Sequence, residues 1–346
     1  MTQLLRHYLP FILKQSIWLL LITMVVIFSF TANNFLTLQN MVNILSFASI
    51  LGIMVIGQSL VLITGNMDLS MESTLGLCGL LGVWLISSRG DPQYGSGLMV
   101  PPILAIFILL TVGVVIGWIN GNLITRFKIN NFVVTLSMLI ALRGVMYIIT
   151  SGSTVYSNSV FYNSIGIGKL GIINYPVLIM LGLFVVAYLV LKYTQFGREL
   201  FAVGANRQAA LASGINPDTR IRQVYLISAG LAALTGLLLS ARLTNVIATM
   251  GKGTVFEVFA AAVIGGVSLQ GGIGTIVGAF GGVLLLSTIN SGLNLMEVNV
   301  FWVEVVRGMI ILLAMLIDAQ KIRFIASETR VDNVVKPTSP APAAPN

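Results

Sequence analysis

The chain has one cysteine, Cys78, and one histidine, His7, in 346 residues. A single thiol excludes an intrachain disulfide, and its place in an apolar run is that of a small packed residue. A single imidazole beside the N-terminus leaves no Ser-His-Asp triad and no His-metal cluster to assemble, so no metal centre is expected. Charge is scarce as well: 19 Lys and Arg and 11 Asp and Glu make up 9% of the residues. The remainder is strongly apolar, with 56% hydrophobic residues and a mean hydropathy of +0.96, in runs of about 20 residues that each match one bilayer crossing. The sequence therefore predicts an all-α polytopic membrane protein. Its formal charge of +8 does not point to nucleic acid, because the Lys and Arg sit in short segments between apolar runs and form no single stripe.

About ten spans are expected, near 11–30, 43–63, 69–88, 99–120, 131–149, 172–191, 222–243, 256–270, 274–291 and 301–318. Arg6 and His7 precede the first and Lys14 lies near its start; it resembles a signal peptide but lacks a small-x-small cleavage site and reads as an uncleaved span. Its basic flank predicts a cytoplasmic N-terminus. The loop at 121–130 with Arg126 and Lys128, the segment 192–222, and the tail with Lys321 and Arg323 then fall on the same side. Residues 1–325 read as one transmembrane domain, and 326–346, polar and rich in Pro and Ala, as a disordered cytoplasmic tail. Gly113, Gly117 and Gly121 form one small-residue ridge and Gly274, Gly278 and Gly282 another, serving either close packing within a subunit or a contact between subunits.

The charge is unevenly placed. Lys192, Arg198, Glu199, Arg207, Asp218, Arg220 and Arg222 form a polar island between two long apolar runs. Within it, Glu199–Ala212 reads as one helix stopped by Gly214 and Pro217, with Phe201 and Val203 on a face that can be buried. An amphipathic helix outside the bilayer must pack against something, which predicts a docking site for a soluble partner.

Two other segments can carry function. In the stretch from Gly57 to Ser73, Thr64-Gly65-Asn66 signals a turn, Asp68 or Ser70 caps a new helix, and Glu72 lies in that helix's first turn. Either Asp68 is an N-cap at the membrane surface, or the segment is a broken helix whose polar end lines a translocation path. From Glu257 to Gly278, glycines crowd Gly265 to Gly274, with no βαβ frame that would make them a dinucleotide loop. Gly251-Lys252-Gly253-Thr254 lacks the upstream glycine of a Walker A loop, so any ATP and its Mg ion must be bound by a partner ATPase and not by this chain. Glu257, Glu297, Glu304 and Arg307 are further charges near or within spans, and Glu304 and Arg307 share a helix face on which they can pair.

Four stretches, 57–70, 197–216, 259–285 and 289–318, together resemble the membrane-spanning permeases of bacterial ATP-binding-cassette importers for sugars, in the ribose-type branch. The resemblance implies a subunit of about ten helices, paired with a second copy or a homologous permease, standing on cytoplasmic ATPase subunits and served by a periplasmic binding protein. It places the ATPase-coupling segment on Gly197, Arg198, Ala202, Gly204, Asn206, Ala209, Ala210, Ser213, Gly214 and Ile215. It also marks Gly65, Asp68, Ser70, Gly265, Gly266 and Ser268 as candidates for the path of a sugar-like solute, to which Asn66 and Glu72 are added by their place in the same turn. Asn66 and Met71-Glu72 depart from the usual pattern of that family, so a ribose specificity does not transfer directly. The rival reading is a secondary transporter or channel driven by an ion gradient, with Asp68, Glu72, Glu257 and Glu304 as coupling acids.

Overall fold

The computed structural model describes residues 2–90, 94–299, 301–303, 305, 306, 308, 309 and 312; for 2–16 only the helical course of the backbone is described. Helices α1 (Thr2–Thr31), α2 (Leu38–Ile63), α3 (Met71–Ile86), α4 (Pro102–Thr125) and α5 (Asn131–Thr150) lead to a short connecting segment. That segment holds β1 (Val155–Tyr156), α6 (Val160–Ile167), β2 (Lys169–Leu170) and β3 (Ile173–Asn174). Then come α7 (Tyr175–Tyr193), α8 (Gln195–Ala205), α9 (Arg207–Ala212), α10 (Pro217–Leu243), β4 (Asn245–Val246), α11 (Thr254–Ile264) and α12 (Ile276–Leu295). The strands form two antiparallel pairs, β1 with β4 and β2 with β3.

Local chemistry sets the boundaries. Thr37 accepts from the Asn40 N–H at 3.3 Å to start α2, and Asn130 accepts from the Phe132 N–H at 2.9 Å to start α5. Asn216 caps α10, whose first residue is Pro217, and Thr275 caps α12 through the Gly278 N–H at 3.0 Å.

Six described helices, α2, α4, α5, α7, α10 and α12, are long and apolar enough to cross a bilayer; residues Ile17–Thr31 of α1, α3 and α11 are shorter apolar helices. Of the tenth expected span, 301–318, the described residues are helical, while Glu304, Arg307 and the rest of 313–346, tail included, lie outside the described residues. Burial sorts the helices: 83% of the apolar stretch of α2 is buried against 17% of that of α5, so α2 is central and α5 peripheral. Helix α10 packs most extensively on α4, then on α3 and α2.

Both glycine ridges pack within the chain. A Cβ at Gly113 would stand 3.0 Å from the Ala229 carbonyl oxygen and one at Gly121 3.1 Å from Arg222 Cα, which brings α4 backbone to backbone with α10. In α12, Gly278 and Gly282 meet Gly265, the C-cap of α11, and Ala261 of α11 in the same way. Without a hydrophobic drive between helices in lipid, such close approach supplies the packing energy.

Helices α3 (16 residues) and α11 (11 residues) are too short to cross alone, and they begin side by side. The expected third span thus starts after a non-helical stretch at 64–70, and the expected eighth, 256–270, is a half-helix that ends at Ile264. From their common level α3 runs to the β1 and β4 end of the molecule, where the Ser87 hydroxyl donates to the Tyr156 carbonyl at 2.6 Å. Helix α11 runs the other way, to the glycine-rich loop.

Candidate coupling and translocation site

The island is two helices and not one. Asn206 adopts an extended conformation (φ −158°, ψ 106°), and its side chain accepts from the N–H groups of Gln208 and Ala209 at 3.0 Å each. An Asn that can cap a helix competes with continuing one, and here the cap wins, splitting the expected Glu199–Ala212 helix into α8 and α9. At the far end of α9, Gly214 takes φ +82° and the Ile215 N–H donates back to the Ala210 carbonyl at 3.0 Å, a Schellman closure.

Helix α8 buries Gly197, Leu200 and Val203; Phe201, Ala202 and Gly204 are half-buried and Arg198 is exposed. Residues 205–209 and 211–214 are exposed, with Leu211 at 64%, and Ala210 alone in α9 turns inward. The charges of the island brace it. Glu199 pairs with Arg220, and Arg207 pairs with Asp218, which Lys128 also reaches at 2.7 Å. The hydrogen bond from Arg220 holds the Glu199 carboxyl below its ordinary pKa. The guanidinium of Arg220 also lies 5.6 Å from the Phe196 ring centre, so α8 and α9 are both tied to the start of α10.

The buried edge of α8 meets the other two candidate segments at one point. A Cβ on Gly204 would fall inside the Ile63 carbonyl oxygen and 2.5 Å from the Gly272 nitrogen. The Gly272 N–H in turn donates to that Ile63 carbonyl at 2.8 Å. Gly271 (φ +86°) would place a Cβ 2.7 Å from the Gly65 nitrogen, and Gly272 (φ +72°) one 2.8 Å from Ala205 Cα. Three backbones, from α8, the end of α2 and the glycine-rich loop, therefore touch without side chains between them. A contact of this kind has no soft rotamers to absorb a displacement, so a shift of any one of the three is opposed directly by the other two.

Beyond that junction lies the break between α2 and α3. Asp68, fully buried, accepts from the N–H (2.9 Å) and hydroxyl (2.6 Å) of Ser70 through Oδ1 and from the Ser228 hydroxyl of α10 (3.1 Å) through Oδ2. Asn120 of α4 donates to the Ser70 hydroxyl at 2.9 Å, and the Tyr225 hydroxyl of α10 donates to the Met67 carbonyl at 2.8 Å. Asp68 is thus no surface cap; it satisfies a non-helical turn inside the bundle and ties it to α4 and α10. Ser70 occupies the N-cap position of α3 without a side-chain capping bond. Asn66 bonds the Thr64 carbonyl at 3.1 Å and accepts from Asn131 of α5 at 3.2 Å.

Glu72, also buried, pairs with Arg143 of α5 at 3.1 Å and accepts from the Gly253 N–H, at the N-cap of α11, at 2.8 Å. Its carboxylate thus sits at the N-termini of two half-helices, where the helix dipoles favour negative charge. Arg143 completes the clamp by donating to the carbonyls of Ala248 (3.0 Å) and Met250 (2.7 Å). Of the glycine-rich candidates, Gly265 packs on Gly278, Gly266 turns at φ +88°, and Ser268 is buried and receives the Gln270 N–H at 3.2 Å. Arg143 is absent from the sequence-derived candidates, although a cation in the middle of an apolar span is the signal that finds it. Asn120 and Ser228 carried no comparable signal, being single polar residues within helices.

Residues 40–315 match the family described as branched-chain amino acid transport system / permease component. The chain is 35% identical over 314 residues to the ribose import permease protein of Escherichia coli (strain K12), covering 90% of this chain and 95% of that protein. It is 36% identical over 319 residues to the ribose import permease protein of Bacillus subtilis (strain 168), covering 91% and 95%. With the galactose/methyl galactoside import permease protein of Escherichia coli (strain K12) it shares 29% identity over 328 residues, covering 91% and 97%. No solved structure matches the chain.

Proposed function

The chain belongs to the branched-chain amino acid transport system / permease component family, and on that premise we propose that it is the membrane-spanning permease of an ATP-binding-cassette importer for a sugar. The solute class is that named by the ribose and galactose import permeases it resembles over nine tenths of its length. The observation that carries the mechanism is the backbone junction of Gly204, Ile63 and Gly272, with an exposed helical face on one side and the α2–α3 break on the other.

In this reading a binding protein delivers the sugar to the outer loops. Two cytoplasmic ATPase subunits, which bind the ATP and Mg, dock on α8 and α9. Their closure displaces the α8–α9 unit, the junction carries the displacement to the end of α2 and to the glycine-rich loop, and the path changes its open side by rigid-body rocking of paired permeases. The chain itself catalyses nothing. Ten spans, with both termini and the 192–222 island in the cytoplasm, complete the topology in the inner membrane.

An ion-driven carrier fits less well, because Asp68 and Glu72, two of its four candidate acids, are already engaged, one by two serines and the other by Arg143 and a helix N-terminus. Uptake into proteoliposomes tests the choice. ATP-dependent uptake of ribose, galactose or arabinose only when ATPase and binding protein are present supports the importer; uptake by this chain alone on an ion gradient refutes it.

A further inference from the structure

Helix α4 ends in a closure that presents a short loop. Lys128 takes φ +55°, a left-handed conformation uncommon outside glycine, and the Ile129 N–H donates back to the Leu123 carbonyl at 3.3 Å. Residues 126–130 are all exposed, with Phe127 at 69% and Ile129 at 41%. A phenylalanine exposed between Arg126 and Lys128 is an apolar knob in a cationic surround.

The loop stands beside the coupling helices. Lys128 donates to one oxygen of Asp218 at 2.7 Å, and Arg207, the first residue of α9, donates to the other. One carboxylate thus joins the loop to α9, and a large partner that covers α9 reaches the loop as well. A stable contact between two proteins buries about 800 Å² on each side and takes about 20–30 residues from each. The island alone offers too little: within 195–216 only Gln195, Arg198, 205–209, 211–214 and Asn216 are exposed. An ATPase subunit seated on α8 and α9 must therefore extend over neighbouring surface, and the 126–130 loop is a neighbour that Asp218 fixes in place. The charge is one-sided too. Arg126, Lys128, Arg198 and Arg207 are exposed, and Asp218, already shared by two of them, does not balance the set. Such a surface fits a partner face that carries carboxylates around an apolar spot.

We propose that the 126–130 loop is a second docking surface for the ATPase subunit, with Phe127 seated in an apolar spot of that subunit and Arg126 facing the carboxylates around it. This rests on the importer reading above and adds the end of α4 to the α8–α9 contact, so that the ATPase grips the permease on both sides of Asp218.

The test uses the complete importer in proteoliposomes, with the photoreactive residue p-benzoylphenylalanine in place of Phe127 in one preparation and of exposed Leu211 in another. On irradiation both positions should capture the ATPase subunit. If position 211 captures the ATPase while position 127 captures only lipid, Phe127 is a bilayer anchor and the proposal is overturned; no capture at all from position 127 overturns it equally. Failure of position 211 to capture the ATPase instead overturns the docking of α8 and α9, so the two failures are distinguishable. Affinity supplies a second readout. Binding of purified ATPase to the permease in detergent should weaken about thirtyfold for Phe127→Ala, the loss of one anchoring aromatic. Arg126→Glu should weaken it about tenfold at low salt and by less as salt rises. Both side chains are exposed, so both variants should melt where the wild type does. Lys169→Glu, at the other end of α7 from α8, is the control and should bind as the wild type does. Wild-type affinity in both Phe127→Ala and Arg126→Glu overturns the proposal.

Discussion

Gly204→Ala is the smallest change that separates folding from transmission. The added methyl overlaps the Ile63 carbonyl oxygen and stands 2.5 Å from the Gly272 nitrogen, where no Cβ contact is tolerated below 3.0 Å. Both obstacles are backbone, so no side chain can swing away, and α8 must back off by roughly 1 Å. Overpacking of this kind costs ~1–3 kcal/mol. Part of that strain is relieved by moving α8 toward solvent, since Arg198 and Ala205 on it are exposed. The variant therefore inserts and folds, but its coupling contact is displaced. If the junction carries a coupling free energy of ~1–3 kcal/mol, stimulation of the ATPase by loaded binding protein falls between about 5-fold and 150-fold. The assay is ATP hydrolysis in proteoliposomes with and without binding protein, beside sugar uptake. Gly144→Ala is the control: nothing lies within 4 Å of the added Cβ, and replacing a mid-helix glycine stabilises by ~0.5–1 kcal/mol. A folded Gly204→Ala variant with wild-type stimulation and uptake refutes the junction as the transmitting contact.

Arg143→Leu strands the Glu72 carboxylate at the start of α3 and should cost ~3–5 kcal/mol, read as a lowered unfolding temperature in detergent, with most of the loss recovered in the Glu72→Leu, Arg143→Leu double variant. Asp68→Asn puts an amide where the carboxylate accepts three hydrogen bonds and should destabilise the fold by ~1–3 kcal/mol in the same melt. The Arg220 bond depresses the pKa of Glu199, so the brace between α8 and α10 is complete at neutral pH and is lost as pH falls through that lowered value. Proteolysis between α8 and α9 should accelerate in acid, below the ordinary carboxylate range near ~4, and Glu199→Gln should raise the rate at neutral pH and weaken that pH dependence, leaving the part carried by the Asp218 pairs.

How legible this was from the residues alone differs by feature. Gly204, Gly65 and the 265–274 glycines stood out separately, because glycine among apolar residues marks a backbone approach; that they approach one another depends on long-range packing, which local spacing does not encode. Asp68 was visible as a capping residue, but its depth was not, since the same Asx-turn chemistry serves a surface and an interior. The split of the island at Asn206 was within reach of capping chemistry, yet the run of strong helix formers on either side outweighed it in a propensity reading. Glu72 looked like an added charge facing the path; Arg143, 71 residues on, makes it one half of a clamp. Arg207, Arg220 and Lys128 count toward topology in the sequence; in the fold Arg220 ties α8 and Arg207 ties α9 to the start of α10, and Lys128 ties the loop after α4 to the same Asp218.

The central claim is that the coupling segment and the glycine-rich loop form one moving unit. Spin labels at exposed Gln208 of α9 and exposed Gln270 of the loop measure it in the assembled importer, by the distance between them within one permease and the Gln208-to-Gln208 distance across the permease pair. The account predicts that ATP binding changes the distance across the pair and leaves Gln208 to Gln270 unchanged. A Gln208-to-Gln270 distance that changes on ATP binding while the pair distance stays fixed would contradict it.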